Sequence, residues 1–240
     1  MIVEVCANSF ESALNAQKAG ADRIELCFEL GVGGVTPSYG LLKKVTQELE
    51  IPINVLIRPR SGDFTYTDAE FDSMKQDIAL CVDLGCNGIV SGVLHKDFTL
   101  DVARTQELIS LSKPLEFTFH RAFDWVKDPI ATFKQLQEMG VDYILTSGQQ
   151  KSAPEGFSLL SKLNKLSVSC KIMPGGGVRT ANAKDFILEG FPALHMSGAK
   201  FKKTLDKAPP FSMNSPSFLK EDHIAISDIE IIREVVLHVK

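Results

Sequence analysis

Short apolar or β-branched runs alternate along the chain with longer amphipathic stretches. Ile2–Cys6, Arg23–Cys27, Ile53–Arg58, Gly88–Gly92, Leu115–His120, Tyr143–Ser147, Cys170–Pro174 and Ala193–Ser197 have the length and composition of strands. Between them, Ser9–Ala19, Ser38–Leu49, Ala69–Leu84, Val102–Leu111, Pro129–Met139, Gly156–Leu166 and Ala181–Leu188 carry helical periodicity. Ser9, either Thr67 or Asp68, and Asp128 supply side-chain acceptors where helices begin, and Pro129 suits a first helical position. Three helices end alike, at Ala19-Gly20-Ala21-Asp22, Leu84-Gly85-Cys86-Asn87 and Met139-Gly140-Val141-Asp142. Glycine there allows the left-handed turn that stops a helix and leads quickly into a strand.

Roughly eight such units follow one another at a spacing of about 27 residues, which predicts an α/β fold of the (β/α)8, or TIM, barrel type. A doubly wound open sheet shares the alternation, but it usually opens on a glycine-rich fingerprint that the Cys6–Ser9 turn lacks. After Ser197 the pattern changes. The segment of about 198–227 holds Pro209, Pro210 and Pro216 and reads as an irregular loop, before a closing helix at about Asp228–Val239. Residues 1–240 are expected to form a single domain.

With 240 residues, 44% of them hydrophobic, the chain can bury a large core. A net charge of −4 gives no general attraction to nucleic acid, and the short basic run Lys200–Lys203 reads as a solvated face. The chain opens directly on a strand pattern, without the charged and apolar regions of a secretory signal. No apolar run reaches the roughly 20 residues that a membrane helix needs. Five cysteines without a CxxC pair read as reduced thiols, so a cytoplasmic protein is expected. No GxSxG elbow, HExxH helix or P-loop occurs.

In a barrel the chemistry gathers at the carboxyl ends of the strands, and alternation decides which side chains point inward. Glu4 and Cys6 share one parity, as do Glu25 and Cys27, then Glu116, Thr118 and His120, and finally His195 and Ser197. Their apolar neighbours of opposite parity suit the layer under the helices. Carboxylates inside a barrel need cations, and Arg58, Arg60 and Arg121 are the candidates at nearby strand ends. His120, at the exit of FTFHRAFD (Phe117–Asp124), and Glu25 are candidate proton-exchanging groups. Arg58 and Arg60 flank a stiff proline, and Gly175, Gly176 and Gly177 follow the seventh strand. With Arg121 and Ser197 they form a candidate set for binding an anion. Cys6 and Cys27 end consecutive strands with matching parity. They read either as core packing or as thiolate ligands for Cu(I), with His120, His195 or Met173 completing the site. Cys81, Cys86 and Cys170 read as packing.

EVCANS (Glu4–Ser9), GADRIELC (Gly20–Cys27), GGVTPSYG (Gly33–Gly40), IRPRSGDFTY (Ile57–Tyr66), FTFHRAFD, LTSGQ (Leu145–Gln149), GGGV (Gly175–Val178) and HMSG (His195–Gly198) resemble the CutC family of copper homeostasis proteins. The resemblance runs from Met1 to about Gly198. It implies a cytoplasmic TIM barrel, often oligomeric (a dimer or tetramer here), with Cu(I) as its ligand and Cys6 and Cys27 in the family's cysteine positions. Two expectations therefore stand together: thiolate binding of a copper ion, or an enzyme acting on a small anionic or phosphorylated metabolite at the rim. Neither nucleic acid nor membrane is expected as a partner.

Overall fold

The computed structural model describes residues 1–207, 209–213 and 221–240. Eight strands, β1 (Ile2–Ala7), β2 (Arg23–Leu26), β3 (Ile53–Leu56), β4 (Gly88–Ser91), β5 (Glu116–Phe119), β6 (Tyr143–Thr146), β7 (Lys171–Pro174) and β8 (Ala193–Met196), form one sheet. Its order is β7-β6-β5-β4-β3-β2-β1-β8, with every neighbour parallel. β7 also lies beside β8, so the sheet curls into a nearly closed (β/α)8 barrel. Around it run α1 (Phe10–Ala19), α2 (Tyr39–Glu48), α3 (Asp68–Asp83), α4 (Val102–Ser112), α5 (Pro129–Glu138), α6 (Phe157–Leu166), α7 (Thr180–Leu188) and α8 (Ile229–Val239).

The alternation of strand side chains produces two separate interiors. Val3, Val5, Ile24, Leu26, Ile53, Val55, Phe117, Phe119, Ile144 and Ile172 face outward and join the large apolar layer beneath the helices. Inward positions fill the barrel itself, with Cys6, Cys27, Leu56 and Val90 in one group and Tyr143, Leu145, Met173 and Ala193 in another. Cys81, Cys86 and Cys170 are buried in the outer layer, as packing residues are.

The repeated helix endings have a mechanical role. Gly20, Gly85 and Gly140 all take positive φ, at 83°, 72° and 82°. The polar residue two positions later then accepts from the first amides of a neighbouring strand. Asp22 Oδ2 accepts from Val3 N–H, Asn87 Oδ1 from Ile53 N–H, and Asp142 Oδ2 from Phe117 N–H, each at 2.8 Å. These amides stand at strand starts, so the side chain supplies a partner and ties each helix exit to the sheet. The helix starts behave as their sequences dictate: Ser9 and Ser38 accept from the first-turn amides of α1 and α2, and Thr67 forms a capping box with Glu70 on α3.

The segment of about 198–227, expected to be irregular, carries two antiparallel strands, β9 (Ala199–Lys203) and β10 (His223–Ser227). Most of β9 faces solvent, so it shows no apolar alternation, and its lysines hide the strand from sequence reading. The base of this hairpin is anchored on α1. Asn15 donates to Ser227 O at 2.9 Å, Asn8 donates to Ala225 O at 3.1 Å, and Ser227 N–H donates to Ser12 Oγ at 3.1 Å. Residue 208 and residues 214–220, including Pro216, lie outside the described residues.

Two glycine substitutions separate backbone strain from interior crowding. A Cβ on Gly140 meets nothing within 4 Å, so Gly140→Ala is expected to cost only the left-handed strain, about 1–2 kcal/mol. A Cβ on Gly88 would stand 2.3 Å from Asn54 Oδ1 inside the barrel. Gly88→Ala should cost more, up to about 3 kcal/mol, because overpacking also displaces Asn54. Urea denaturation midpoints at constant slope test the order of the two.

Candidate functional site

Strand register brings Glu4 beside Arg23 on one flank and beside His195 on the other. Glu4 is fully buried, and both of its carboxylate oxygens have polar partners. Arg23 Nε donates to its Oε2 at 2.5 Å, Asn54 Nδ2 donates to the same oxygen at 3.2 Å, and His195 Nδ1 meets Oε1 at 2.8 Å. Arg23 reaches on to Glu116 at 3.0 Å and lies over the Tyr143 ring, 4.2 Å from its centroid. Burial pushes the Glu4 carboxyl up, but the His195 hydrogen bond and the Arg23 charge outweigh it and hold the group below its ordinary range. The cation for the inner carboxylates is therefore Arg23, not Arg58, Arg60 or Arg121. Its signal was parity, since Arg23 stands two residues before Glu25 on the same strand and so shares its inward face.

One level closer to the rim lies a cluster of two thiols, a carboxylate and an imidazole. Cys6 Sγ and Cys27 Sγ are 3.4 Å apart. Donor atoms of Cys6, Glu25 and His195 all lie within 4.8 Å of one another, the only such group of three among the described residues. His195 Nε2 faces Glu25 Oε2 at 3.5 Å while its Nδ1 is held by Glu4. The Cys27 hydrogen bond and burial keep the Cys6 thiol well above its ordinary range. Burial pushes Glu25 up, and the Glu4 charge adds to it against the opposing pull of His195. For His195 burial acts downward, yet the two carboxylates win and the imidazole is raised. Two sulfurs, an oriented imidazole and a carboxylate form a donor set that fits a soft or borderline cation. Within it the two sulfurs and the imidazole suit Cu(I).

The loop after β2 covers this group. Gly34 takes φ 84° and approaches so closely that a Cβ there would stand 2.7 Å from Leu56 and 3.5 Å from Cys27 Cβ. Arg58 holds that loop down. Its Nη1 donates to Gly34 O at 2.7 Å and to Val32 O at 2.9 Å, and its Nη2 donates to Gly62 O at 2.8 Å. The remaining Nε is buried and has no partner among the described residues. Arg60 is equally committed, to Glu70 at 2.6 Å, to Asp63 at 3.2 Å and to Thr65 O at 2.8 Å. These two arginines shape loops, and their donors are largely occupied.

His120 does not join the metal-type group. Its Nδ1 accepts from Ala122 N–H at 3.2 Å, its ring packs 4.8 Å from that of Phe64, and its Nε2 is buried with no partner among the described residues. Burial, reinforced by the Arg58 charge, lowers its pKa to about 3, so the ring is neutral at physiological pH. The next two polar residues of FTFHRAFD tie strand exits together. Asp124 accepts from Arg121 Nε at 2.8 Å, Thr146 Oγ1 at 2.5 Å, Ser147 N–H at 3.0 Å and Gln149 N–H at 3.1 Å. Arg121 Nη2 donates to Ser147 Oγ at 2.8 Å, and its Nη1 lies near Gly176, where a Cβ would come within 3.4 Å. Gly176 and Gly177 have φ of 91° and 78°, while Gly175 packs under Leu145 and His195. Of the residues expected to bind an anion, Arg121 and Gly176 thus meet, and Ser197 is exposed at the start of the hairpin.

The neutral, sealed His120 has a measurable consequence. The unfolded chain protonates this histidine below its ordinary pKa of 6.5, but the folded chain does so only near 3. The unfolded state therefore binds more protons across that window, and stability falls as pH drops through it, by on the order of a few kcal/mol. His120→Gln is expected to flatten this slope, as read from denaturation midpoints between pH 7 and pH 4.

Comparison with known proteins agrees with the barrel fold. The CutC family profile matches residues 1–200. A CutC family protein from Enterobacter sp. (strain 638) is 46% identical over 200 residues, covering 83% of this chain and 81% of the relative. A crystal structure from Streptococcus agalactiae, carrying the name copper homeostasis protein CutC, superposes with a TM-score of 0.78 at 32% identity, over 82% of this chain and 98% of that one. Thiamine phosphate pyrophosphorylase from Pyrococcus furiosus, at 14% identity and TM-score 0.61 over 100% and 95% of the two chains, shares the fold. The matches to CutC proteins span the barrel that holds Glu4, Cys6, Glu25, Cys27 and His195, and on them this chain belongs to the CutC family.

Proposed function

We propose that this protein takes part in copper homeostasis by binding Cu(I) through the thiolates of Cys6 and Cys27 at the barrel mouth. The observation that carries this reading is the pair of sulfurs 3.4 Å apart with an oriented imidazole within 4.8 Å of Cys6. Thiolates are the ligands that select Cu(I), and the His195 ring is fixed by Glu4 in the manner of a metal-bound histidine. All five cysteines are free, which suits a reducing cytoplasm. No helix of the described residues is long and apolar enough to cross a membrane. The exposed side chains of Phe201 and Ile224 on the hairpin support assembly as a dimer or tetramer. Replacing both cysteines, Cys6→Ser with Cys27→Ser, is expected to remove stoichiometric Cu(I) binding. Competition against a colorimetric Cu(I) chelator measures it, and an affinity unchanged from the parent protein sinks the reading.

A second reading, an enzyme acting on a small anionic or phosphorylated metabolite, draws on a different part of the rim. Arg121 Nη1 faces Gly176, and the consecutive positive φ of Gly176 and Gly177 leaves the backbone open to close approach. In this reading Glu25, raised by burial and facing His195 at 3.5 Å, is the group suited to exchange a proton. Crystals soaked in phosphate should show an oxyanion between Arg121 and Gly176. An empty rim at saturating phosphate removes this reading's main support.

A further inference from the structure

We infer that the barrel-mouth centre is a four-donor site, made of Cys6, Cys27, Glu25 and His195, that also takes a divalent cation of the zinc class, and that Glu25 sets the choice between Zn(II) and Cu(I). The inference rests on reading Cys6 and Cys27 as metal ligands and adds the two donors opposite them.

The distances favour a tetrahedral ion. Zinc bonds of about 2.3 Å to sulfur and 2.0–2.2 Å to nitrogen or oxygen place tetrahedral ligand pairs at about 3.8 Å for two sulfurs and about 3.4 Å for nitrogen and oxygen. The sulfurs stand 3.4 Å apart, and His195 Nε2 and Glu25 Oε2 stand 3.5 Å apart. A linear two-thiolate arrangement would need roughly 4.6 Å between sulfurs at the same bond length, an opening of more than an ångström in a packed interior. Donor atoms of Cys6, Glu25 and His195 already lie within 4.8 Å of one another, and Cys27 adjoins them through Cys6 Sγ, so binding an ion draws Cys27 in toward the other three.

The orientation of His195 points the same way. Its Nδ1 is fixed on Glu4, and Glu4 is in turn fixed by Arg23 and Asn54. A carboxylate on one ring nitrogen, with the other nitrogen aimed at the site, is how proteins orient a metal-binding histidine. Nε2 faces the Glu25 carboxylate at 3.5 Å, so the two can share a proton or, once that proton is displaced, a cation.

Charge and hardness then assign the selecting role. Two thiolates and a carboxylate carry three negative charges, and the nearby Arg23 is already matched by Glu4 and Glu116. A dication leaves one net negative charge in this buried volume, whereas a monocation leaves two, which is far less favourable. Carboxylate oxygen is moreover a good ligand for Zn(II) and a poor one for Cu(I). Removing the carboxylate charge should weaken the dication and leave the thiolate-bound monocation nearly untouched.

The test uses the full-length protein and separates this inference from the copper reading. Zn(II) and Cu(I) affinities are measured by chelator competition for the parent chain, for Glu25→Gln and for the Cys6→Ser, Cys27→Ser pair. Glu25→Gln is expected to lower Zn(II) affinity by at least about tenfold, the smallest loss usual when a supporting group is removed, and to change Cu(I) affinity by less than about threefold. Co(II) added to the parent chain should give the intense visible bands of a tetrahedral site with thiolate charge transfer, a readout that needs no variant to fold. Absence of Zn(II) binding in the parent chain, an octahedral cobalt spectrum, or equal losses of both metals in Glu25→Gln overturns the inference. If the parent chain binds Cu(I) in those cases, the copper reading stands alone. If the double serine variant keeps Cu(I), both fail.

Discussion

The ion pair between Glu4 and Arg23 is the constraint on which the barrel interior turns. A carboxylate with no exposure cannot remain ionised inside a protein unless its lone pairs are met, and here donors from three other strands meet them. Arg23 then reaches Glu116 on the far side, so β1, β2, β3, β5 and β8 converge on one charged knot. Such a knot adds less net stability than an apolar core of the same volume. Its contribution is positional, because it fixes the His195 ring in one orientation beneath the thiols. The candidate metal group is the upper surface of that knot.

The same economy runs through the loops. Arg58 and Asp124 each gather groups from separate strands or loops, and each does so with a buried or half-buried polar side chain. Residues that look like ligand-binding groups in isolation are here largely internal fasteners. What remains for a visitor at the mouth is the sulfur pair, the inner carboxylate, one imidazole edge and the outer side of Arg121.

Much of this was legible before any coordinates. Strand positions follow from apolar runs bounded by glycine and polar residues, and the glycine that ends three helices sits where φ becomes positive. Parity alone placed Glu4, Cys6, Glu25, Cys27 and His195 on the inner face. Parity says nothing of level or partner, however, and that is where the reading of the arginines went astray. Arg23 begins its strand and was not weighed as a cation, whereas Arg58 and Arg60 sit on a conspicuous loop that their own guanidinium groups hold together. His120 shows the other limit, since only its packing against Phe64 and Arg58 reveals a ring that stays neutral. The β9–β10 hairpin escaped because strands with solvent on most of one member carry no alternation to find.

The close seat of Gly34 makes the two thiols unequal. Cys27 has no solvent exposure under that loop, while Cys6 retains 8%. A thiol reagent arriving from the rim therefore meets Cys6 first. The fold gives the pair a door and a back wall, with the arginine clamp on the loop acting as the latch.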